Sequence, residues 1–197
     1  LNLLEENNYE SYIVGGYVRD FILNKKSYDI DIATSATVKE MSIFLNGNAS
    51  SAHYGALKIA EPPYNIDITT FRKELSYQKR NPTVCYIKDV KEDILRRDFT
   101  INAILMDKNG NIIDYLGGIQ DIRDKKIKCI GNPNEKFQDD PLRMLRALRF
   151  NATLGFNIDP ATLGAIKKYK ELLSTLSKTR VKNELDKILL SINVVKS

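Results

Sequence analysis

The residues with the clearest chemical consequence are two aspartates that alternate with two isoleucines, from Asp29 to Ile32. In an extended strand successive side chains point to opposite faces, so Asp29 and Asp31 share one face. Their carboxylates would lie roughly 6–7 Å apart along the strand, within reach of one divalent ion or a close pair. The pattern predicts a Mg²⁺ site for phosphoryl or nucleotidyl transfer. An exposed strand face or an aspartate-rich turn is the alternative.

A third aspartate follows the same alternation. Asp67 lies between Ile66 and Ile68, so in a strand its carboxylate faces away from both isoleucines. A neighbouring strand could bring Asp67 beside Asp29 and Asp31 and complete a three-carboxylate cluster. Such a cluster suits two-metal catalysis, in which one ion activates the attacking hydroxyl and the other stabilises the leaving pyrophosphate. For Asp67 alone, a strand-edge aspartate is the alternative.

Two short segments carry residues that could bind phosphates. Gly15 and Gly16 precede a predicted helix, where glycines let the backbone pass close to phosphates. Arg19 lies one turn into that helix and can face the same phosphates, or it can form a surface salt bridge with Asp20 or Glu10. Arg97 and Asp98 place a guanidinium beside a carboxylate, which suit phosphate and ribose hydroxyls respectively. A solvated charged cluster is the alternative for this second pair.

A later segment places an arginine at every third position of a predicted helix. Arg143, Arg146 and Arg149 would form a slanting basic stripe on that helix. Asp140, directly before Pro141, predicts the N-cap of the same helix. Three stacked arginines repel one another, and a phosphate-bearing ligand would relieve that repulsion. The pattern therefore favours a ligand-binding stripe over a solvated face.

Composition excludes several classes of protein. The 197 residues are 43% apolar and 28% charged, as in globular domains, and the net charge of +5 permits a polyanionic partner without requiring one. No apolar run approaches the ~20 residues of a membrane span, so no membrane partner is expected. His53 is the single histidine, which disfavours polyhistidine zinc sites and Ser-His-Asp triads. The isolated Cys85 and Cys129 predict reduced thiols and a cytoplasmic protein.

The pattern of elements predicts an α+β fold, a mixed-sheet head followed by an all-helical neck. Strands are predicted at 12–14, 29–32, 57–59, 66–69, 104–106 and 112–115, with helices at 17–23 and 37–45, the second closed by Gly47. A polar linker is predicted at 132–139, and helices follow at 141–153, 160–176 and 181–192. These elements place the head at 1–133 and the neck at 134–197.

Five motifs in chain order resemble those of the class II tRNA nucleotidyltransferase and bacterial poly(A) polymerase family. They are the catalytic motif at 15–20 and 29–37, the ribose motif at 96–103, the hinge motif at 114–118, the base-reading motif at 139–143 and the neck motif at 180–185. The resemblance implies a nucleotidyltransferase (polymerase-beta-like) head in which Asp29 and Asp31 hold Mg²⁺. The implied substrate-binding residues are Gly15, Gly16, Arg19, Arg97, Asp98, Asp140, Arg143, Arg146 and Arg149.

The resemblance also implies the reaction. Asp140 and Arg143 would pair with the Watson–Crick edge of CTP or ATP, and the protein would add CMP and AMP to the tRNA 3′ end. Asp139 departs from the family, which usually has Glu there. The segment 71–93 resembles the flexible loop needed for adding the terminal A, and 53–59 resembles the tRNA-repair branch. Relatives continue into helical body and tail domains, which we expect to be absent here, so we do not expect this piece to bind tRNA stably.

Other readings of the motifs are a bacterial poly(A) polymerase, an A-adding enzyme, a non-catalytic RNA-binding relative and a metal-dependent hydrolase. The intact Asp29 and Asp31 argue against the non-catalytic relative. Nothing in the sequence positions a water for a hydrolase, and the base-reading motif would then have no role. The oligomeric state and the choice among CCA, A and poly(A) products are open at this point.

Overall fold

The computed structural model describes residues 1–48, 55–78 and 81–191. His53 and the predicted helix end at 192 lie outside these residues. The chain forms two compact units, one of Leu1–Arg97 with Asn102–Gly118, the other of Asp98–Ile101 with the residues from Ile119 onward. This division differs from the predicted boundary at 133/134, because the residues after Gly118 belong to the helical unit.

The first unit is built on a six-stranded sheet. Its strands are β1 (Ser11–Val14), β2 (Asp29–Thr34), β3 (Ala56–Glu61), β4 (Tyr64–Thr70), β7 (Leu105–Met106) and β8 (Ile112–Ile113), in the order β3-β4-β2-β1-β7-β8. The β2–β4 pair is parallel and the other neighbouring pairs are antiparallel, so the sheet is mixed as predicted. Helices of this unit are α1 (Asn2–Glu6), α2 (Gly16–Ile22), α3 (Val38–Phe44) and α4 (Val90–Leu95).

The sequence of β2 explains how this sheet exposes charge and still buries a core. Asp29 and Asp31 are exposed, whereas Ile32 is buried in a cluster with Leu4, Met41 and other apolar side chains. Burying such side chains contributes about 1.5–3 kcal/mol each, which holds the strand in register. The sheet thus anchors one half of β2 while the other half presents carboxylates to solvent.

Helix α3 begins as predicted and ends earlier than predicted. The Thr37 hydroxyl accepts from the Glu40 N–H at 3.4 Å, and the Glu40 carboxylate accepts from the Thr37 N–H at 2.7 Å, which is a capping box. The helix stops at Phe44, so Gly47 does not close it. A Cβ on Gly47 would lie 2.8 Å from a side-chain carbon of Leu57, so the glycine serves close packing.

The segment 71–93, predicted to resemble a flexible loop, contains regular structure. Strands β5 (Arg72–Gln78) and β6 (Asn81–Tyr86) form an antiparallel hairpin, and α4 follows it. The Phe71 side chain is fully buried, so the base of the hairpin is fixed to the core of the first unit.

The second unit is mainly helical. Its elements are α5 (Gly118–Arg123), β9 (Lys126–Ile127), α6 (Pro133–Asp139), α7 (Leu142–Leu154), β10 (Asn157–Ile158), α8 (Pro160–Tyr169) and α9 (Lys178–Leu189). The predicted helix at 160–176 is split, since a 3₁₀ helix covers Lys170–Thr175. None of the helices within the described ranges is long and apolar enough to cross a membrane.

The predicted linker at 132–139 is wrong, because this segment is helix α6. The Asn132 side chain caps it by accepting from the Asn134 N–H at 3.0 Å, and Pro133 occupies the first turn. Phe137 is fully buried and anchors the helix. The polar composition of the segment concealed this single apolar anchor.

Candidate active site

The carboxylates of the first unit lie where the alternation predicted. Asp29 and Asp31 are both exposed on β2, and the parallel register sets Asp29 opposite Asn65 and Asp31 opposite Asp67. The Asn65 amide donates to the Asp29 carboxylate at 3.1 Å. The sheet therefore brings Asp67 directly beside Asp31, as the sequence suggested.

Asp67 does not complete the expected cluster. Its carboxylate accepts from the Lys58 ammonium at 3.0 Å, and both side chains are about half exposed. Among the described residues, no group of three or more His, Cys, Asp or Glu side chains could hold a metal ion. Asp67 is thus paired with a lysine beside Asp31, and its expected role with Asp29 and Asp31 at a metal stays a prediction.

The carboxylates border an open cavity of about 660 Å³ on the same sheet. Its polar lining includes Asp29, Asp31, Asn48, Lys58 and Asp67. A cavity of this size falls within the range of small-molecule sites. The first unit thus presents carboxylates at the edge of a space that a nucleotide could enter.

Gly15 brings the backbone against Asp31. Its φ of +83° is in the region that favours glycine, and a Cβ there would lie 3.0 Å from the Asp31 carboxylate. Two independent constraints therefore require glycine at this position. The space that a side chain would fill is left beside the carboxylate.

Arg19 is buried rather than exposed. Its Nε and Nη2 donate to one carboxylate oxygen of Asp20 at 2.9 and 2.8 Å, and its Nη1 donates to the Asn102 side chain at 2.7 Å. The predicted alternative, a salt bridge with Asp20, is thus present, but the Asn102 contact adds a second anchor. A Cβ on Gly16 would lie 3.5 Å from the Arg19 guanidinium, an ordinary van der Waals contact, so packing against Arg19 does not require glycine there.

Asp93 organises the arginines around Arg97. It is fully buried, accepts from Arg97 at 3.0 Å and from Arg96 at 2.8 Å, and also accepts the Arg72 N–H at 3.1 Å. Burial alone would raise the pKa of Asp93, but Arg97 and Arg96 outweigh it and hold the pKa below its usual value. This carboxylate is therefore charged at neutral pH and fixes both guanidiniums.

The Arg97 guanidinium is a buried cation. Burial lowers the pKa of Arg97, while the charges of Asp93 and Asp31 favour the protonated form. None of the described residues accepts a hydrogen bond from the buried Arg97 Nε. Arg97 therefore keeps donor capacity after its contact with Asp93 is made.

In the second unit, Asp98 and Arg146 form a direct ion pair. The Arg146 Nε and Nη2 donate to one Asp98 oxygen at 2.6 and 2.5 Å, and the charge of Asp98 raises the pKa of Arg146. The other Asp98 oxygen accepts from the Phe99 N–H at 2.8 Å. The Phe150 ring lies 5.6 Å from the Arg146 guanidinium, a cation–π distance.

The other two arginines of α7 also have partners. Arg149 lies 2.9 Å from the buried Glu184 carboxylate on α9, and its guanidinium sits 4.3 Å from the Phe150 ring. Arg143 donates to the Lys136 carbonyl at 3.2 Å and is buried. The repulsion that the sequence assigned to a phosphate ligand is thus relieved by acceptors of the second unit itself.

Asp140 acts on two neighbours. Its carboxylate accepts from the Leu142 N–H at 3.2 Å and from the Arg180 guanidinium at 3.2 Å. The N-cap of α7 is Pro141, so the predicted N-cap at Asp140 is wrong by one residue. Arg180 lies in the neck motif near the start of α9. Asp140 therefore joins the starts of α7 and α9.

Sequence reasoning missed four of these residues, namely Asp93, Asn102, Arg180 and Glu184. Asp93 had a local signal, since Arg96 and Arg97 lie three and four residues later in a helical segment. Asn102, Arg180 and Glu184 lie within the motifs at 96–103 and 180–185, but their arginine or carboxylate partners are far away along the chain and could not be predicted from spacing. The roles of the predicted site residues themselves stay predictions.

Two family models match the chain. Residues 11–128 match the Poly A polymerase head domain, and residues 155–197 match the family described as probable RNA and SrmB-binding site of polymerase A. A CCA-adding enzyme of Limosilactobacillus reuteri (strain DSM 20016) is 43% identical over 198 residues, which cover 99% of this chain and 49% of that protein. The chain thus spans about half the length of the curated relatives it matches.

Solved structures of CCA-adding enzymes and tRNA nucleotidyltransferases are also similar to this chain. The CCA-adding enzyme of Bacillus stearothermophilus in complex with CTP superposes with a TM-score of 0.91 at 36% identity, covering 99% of this chain and 48% of that one. A tRNA nucleotidyltransferase complexed with a primer tRNA and an incoming ATP analog superposes with a TM-score of 0.78 at 29% identity, covering 94% of this chain and 54% of that one.

Proposed function

Because this chain belongs to the poly(A) polymerase head-domain family, we propose that it forms the head and neck of a CCA-adding tRNA nucleotidyltransferase. It would transfer CMP and AMP from CTP and ATP to the tRNA 3′ end. The relatives named CCA-adding enzyme and the solved complexes with CTP and with tRNA support this choice of substrates. The observation that carries the proposal is the pair of exposed carboxylates, Asp29 and Asp31, on a strand whose other half is buried.

The residues at this strand fit a divalent metal, which we propose to be Mg²⁺. Magnesium in phosphate chemistry is commonly held by one or two carboxylates together with substrate phosphates, so Asp29 and Asp31 are sufficient protein ligands. The absent side chain at Gly15 leaves room beside the Asp31 carboxylate. When bound, the metal would make the RNA 3′-hydroxyl a better nucleophile and neutralise charge on the leaving pyrophosphate.

The buried arginines of the first unit would orient the triphosphate. Arg19 is held by Asp20 and Asn102, and Arg97 is held by Asp93, so little side-chain entropy is lost when either donates to a phosphate. Fixed cations beside developing negative charge stabilise a transition state because they need not reorganise during the reaction. The unfilled donor capacity of Arg97 Nε supports this role.

Asp140 and Arg143 would select the base. A carboxylate accepts from the exocyclic amine of cytosine or adenine, whereas uracil and guanine present a carbonyl at the corresponding edge. Both side chains are already oriented, Asp140 by Arg180 and Arg143 by the Lys136 carbonyl. Fixed groups of this kind can replace a nucleic-acid template.

The decisive experiment incubates the chain with three RNA primers and each nucleoside triphosphate separately. The primers are a tRNA transcript that ends before the first C, one that ends after CC, and an oligoadenylate. The proposal requires CMP addition to the first transcript and AMP addition to the second. Addition of UMP or GMP with equal efficiency, or no addition to either transcript, would contradict it.

A second candidate, poly(A) or A-only addition, is favoured by the description of the matched family as a poly(A) polymerase head. It predicts AMP addition without CMP addition in the same experiment. Long AMP tails on the oligoadenylate would indicate the polymerase, and a single AMP on the CC-ended transcript would indicate an A-adding enzyme.

A further inference from the structure

A second pocket lies at the ends of β2 and β4 in the first unit, with a volume of about 300 Å³. Its lining is aromatic and basic, and includes Tyr17, Phe21, Tyr28, Tyr64, Lys25 and Lys26. Phe21, Tyr28 and Tyr64 are 55%, 50% and 39% exposed, although large rings are normally buried. The mechanism proposed above uses none of these side chains.

The backbone fixes the two tyrosines beside the catalytic strand. Tyr28 directly precedes Asp29, and Tyr64 begins β4 directly before Asn65, whose amide contacts Asp29. The Asn65 N–H donates to the Tyr28 carbonyl at 2.9 Å, which continues the β2–β4 ladder to this pair. The two ring centroids are 6.1 Å apart with an angle of 49° between the planes. Their spacing is therefore set by the sheet.

The two lysines supply the complementary charge. Lys25 and Lys26 are exposed and follow α2, and the Lys25 N–H donates to the Asp20 carbonyl at 2.8 Å, which fixes the turn between them and the helix. Exposed rings interleaved with cations are the features with which proteins bind single-stranded nucleic acid, since bases stack on the rings and phosphates meet the cations. An apolar peptide segment would gain nothing from the lysine pair.

We infer that this pocket, which we call the tyrosine platform (Tyr28, Tyr64, Phe21, Lys25 and Lys26), binds the unpaired 3′-terminal nucleotides of the RNA primer. The inference rests on the proposed function and extends it, because it assigns the primer a site next to Asp29. Tyr28 directly precedes Asp29, so RNA bound there would lie at the end of the strand that carries the candidate metal ligand. The platform would contribute primer affinity and no nucleotide selectivity, since every base has a π face.

The first test measures RNA binding without catalysis. The fluorescence anisotropy of a labelled, short single-stranded RNA ending in CC is titrated with the whole chain in EDTA and without nucleotide. Tyr28→Ala and Tyr64→Ala should each raise Kd by about five- to 150-fold, the effect of losing one base–aromatic stack. Tyr28→Phe keeps the ring and should stay within about twofold of wild type. Thermal melts check that each variant is folded.

Charge variants keep the inference testable if a ring variant does not fold. Lys25→Ala and Lys26→Ala alter exposed side chains and should each reduce the slope of log Kd against log salt by about 0.7. Lys39→Ala, an exposed lysine on α3, is the matched control and should leave the slope unchanged. Unchanged slopes in all three variants would overturn the inference.

The second test separates the platform from the catalytic proposal. In CMP addition, Tyr28→Ala should raise KM for the primer while kcat at saturating primer and KM for CTP stay at wild-type values. A wild-type chain that binds the RNA no better than Tyr28→Ala overturns the inference, even if nucleotide addition is normal. If the ring variants weaken RNA binding but wild type adds no nucleotide to any primer, the proposed function fails and the platform stands.

Discussion

Charged side chains are handled in opposite ways by strand β2 of the first unit and by helix α7 of the second unit. On β2, Asp29 and Asp31 stay exposed although like charges on one strand face repel each other. On α7, Arg146 and Arg149 meet Asp98 and Glu184, and Arg143 meets the Lys136 carbonyl. The strand presents its carboxylates to solvent, whereas the helix pairs its charges within the second unit.

This difference separates two kinds of functional charge. An exposed carboxylate lies outside the core, so its removal should affect chemistry and leave the fold intact. A buried, paired charge is part of the fold, so removing one partner leaves the other uncompensated. Variants of each kind of charge test this separation.

Substituting either strand carboxylate should abolish catalysis without unfolding the chain. For Asp29→Ala and Asp31→Ala we expect nucleotide addition to fall at least about 1,000-fold, because metal charge stabilisation is worth several kcal/mol. Neither side chain packs in the core, and removing like charges should leave the melting temperature equal or slightly higher. Single-turnover CMP addition and a thermal melt measure the two effects.

Glu61→Ala provides the matched control, since Glu61 is an exposed carboxylate that lines the same cavity on a different strand. It should retain wild-type addition to within about twofold, as expected of a surface substitution. Wild-type turnover in either aspartate variant would contradict the assignment of Asp29 and Asp31 as metal ligands.

Removing Asp93 should destabilise the fold, which the Asp29 and Asp31 variants leave intact. Asp93→Ala removes the carboxylate that pairs with the guanidiniums of Arg96 and Arg97, both of which are mostly buried. We therefore expect a loss of about 3–5 kcal/mol of unfolding free energy. Glu92→Ala, the neighbouring acidic residue with a half-exposed side chain, should cost less than about 1 kcal/mol. Urea unfolding measures both, and equal losses in the two variants would contradict the role assigned to Asp93.

The same carboxylate predicts a pH dependence. Its pKa is lowered in the folded chain, so its contribution to stability is present above the unfolded pKa of about 3.9 and is lost as pH falls through the folded value. Asp93→Asn lacks this titration. The stability difference between wild type and Asp93→Asn should therefore shrink as pH is lowered into that window, and a constant difference would argue against the paired state.

The sequence predicted the placement of the strand carboxylates better than the arginine contacts, and the reason is physical. Alternation in β2 is a local property of two-residue period, so the face of Asp29 and Asp31 could be read directly, and the β2–β4 pairing then brought Asp67 alongside. The contacts of Arg146 with Asp98 and of Arg149 with Glu184 depend on how distant segments pack. Spacing alone could not distinguish those internal acceptors from a phosphate ligand.

Helix α6 (Pro133–Asp139) shows the opposite case, in which the local signals were present but the segment was predicted to be a linker. Its composition is polar, and the burial that stabilises it comes from Phe137, which a search for apolar periodicity does not register. The capping signals at Asn132 and Pro133 were present in the sequence and were sufficient to predict a helix start.

Asp140 tests whether a paired charge of the second unit can also be functional. If it reads the base, Asp140→Ser should reduce the preference for CTP over UTP by roughly five- to 150-fold, the typical effect of losing such a hydrogen bond. Serine retains capping ability, so helix α7 should persist. The measurement is the ratio of incorporation efficiencies for the two nucleotides.

Asp159→Ser is the control for capping alone, because Asp159 caps α8 by accepting from the Ala161 and Thr162 N–H groups. It should leave the ratio of CTP to UTP incorporation unchanged. The same unchanged ratio in Asp140→Ser would show that Asp140 caps a helix, holds Arg180 and reads no base.

The smallest effect concerns the two thiols, one in each unit, which report local exposure rather than activity. Cys85 is exposed, whereas Cys129 is buried and burial raises its pKa to about 11 from 9.0. At neutral pH this shift lowers the thiolate fraction of Cys129 about 100-fold, so a thiol-specific reagent should modify Cys85 quickly and Cys129 at least about 100-fold more slowly. Cys85→Ser should remove the fast phase, and urea should make Cys129 as reactive as an ordinary thiol. Because folding raises the pKa from 9.0, Cys129 contributes stability below about pH 9 and loses that contribution as pH rises through about 11. A fast native phase that persists in Cys85→Ser would show that the second unit opens around Cys129 far more readily than its packing indicates.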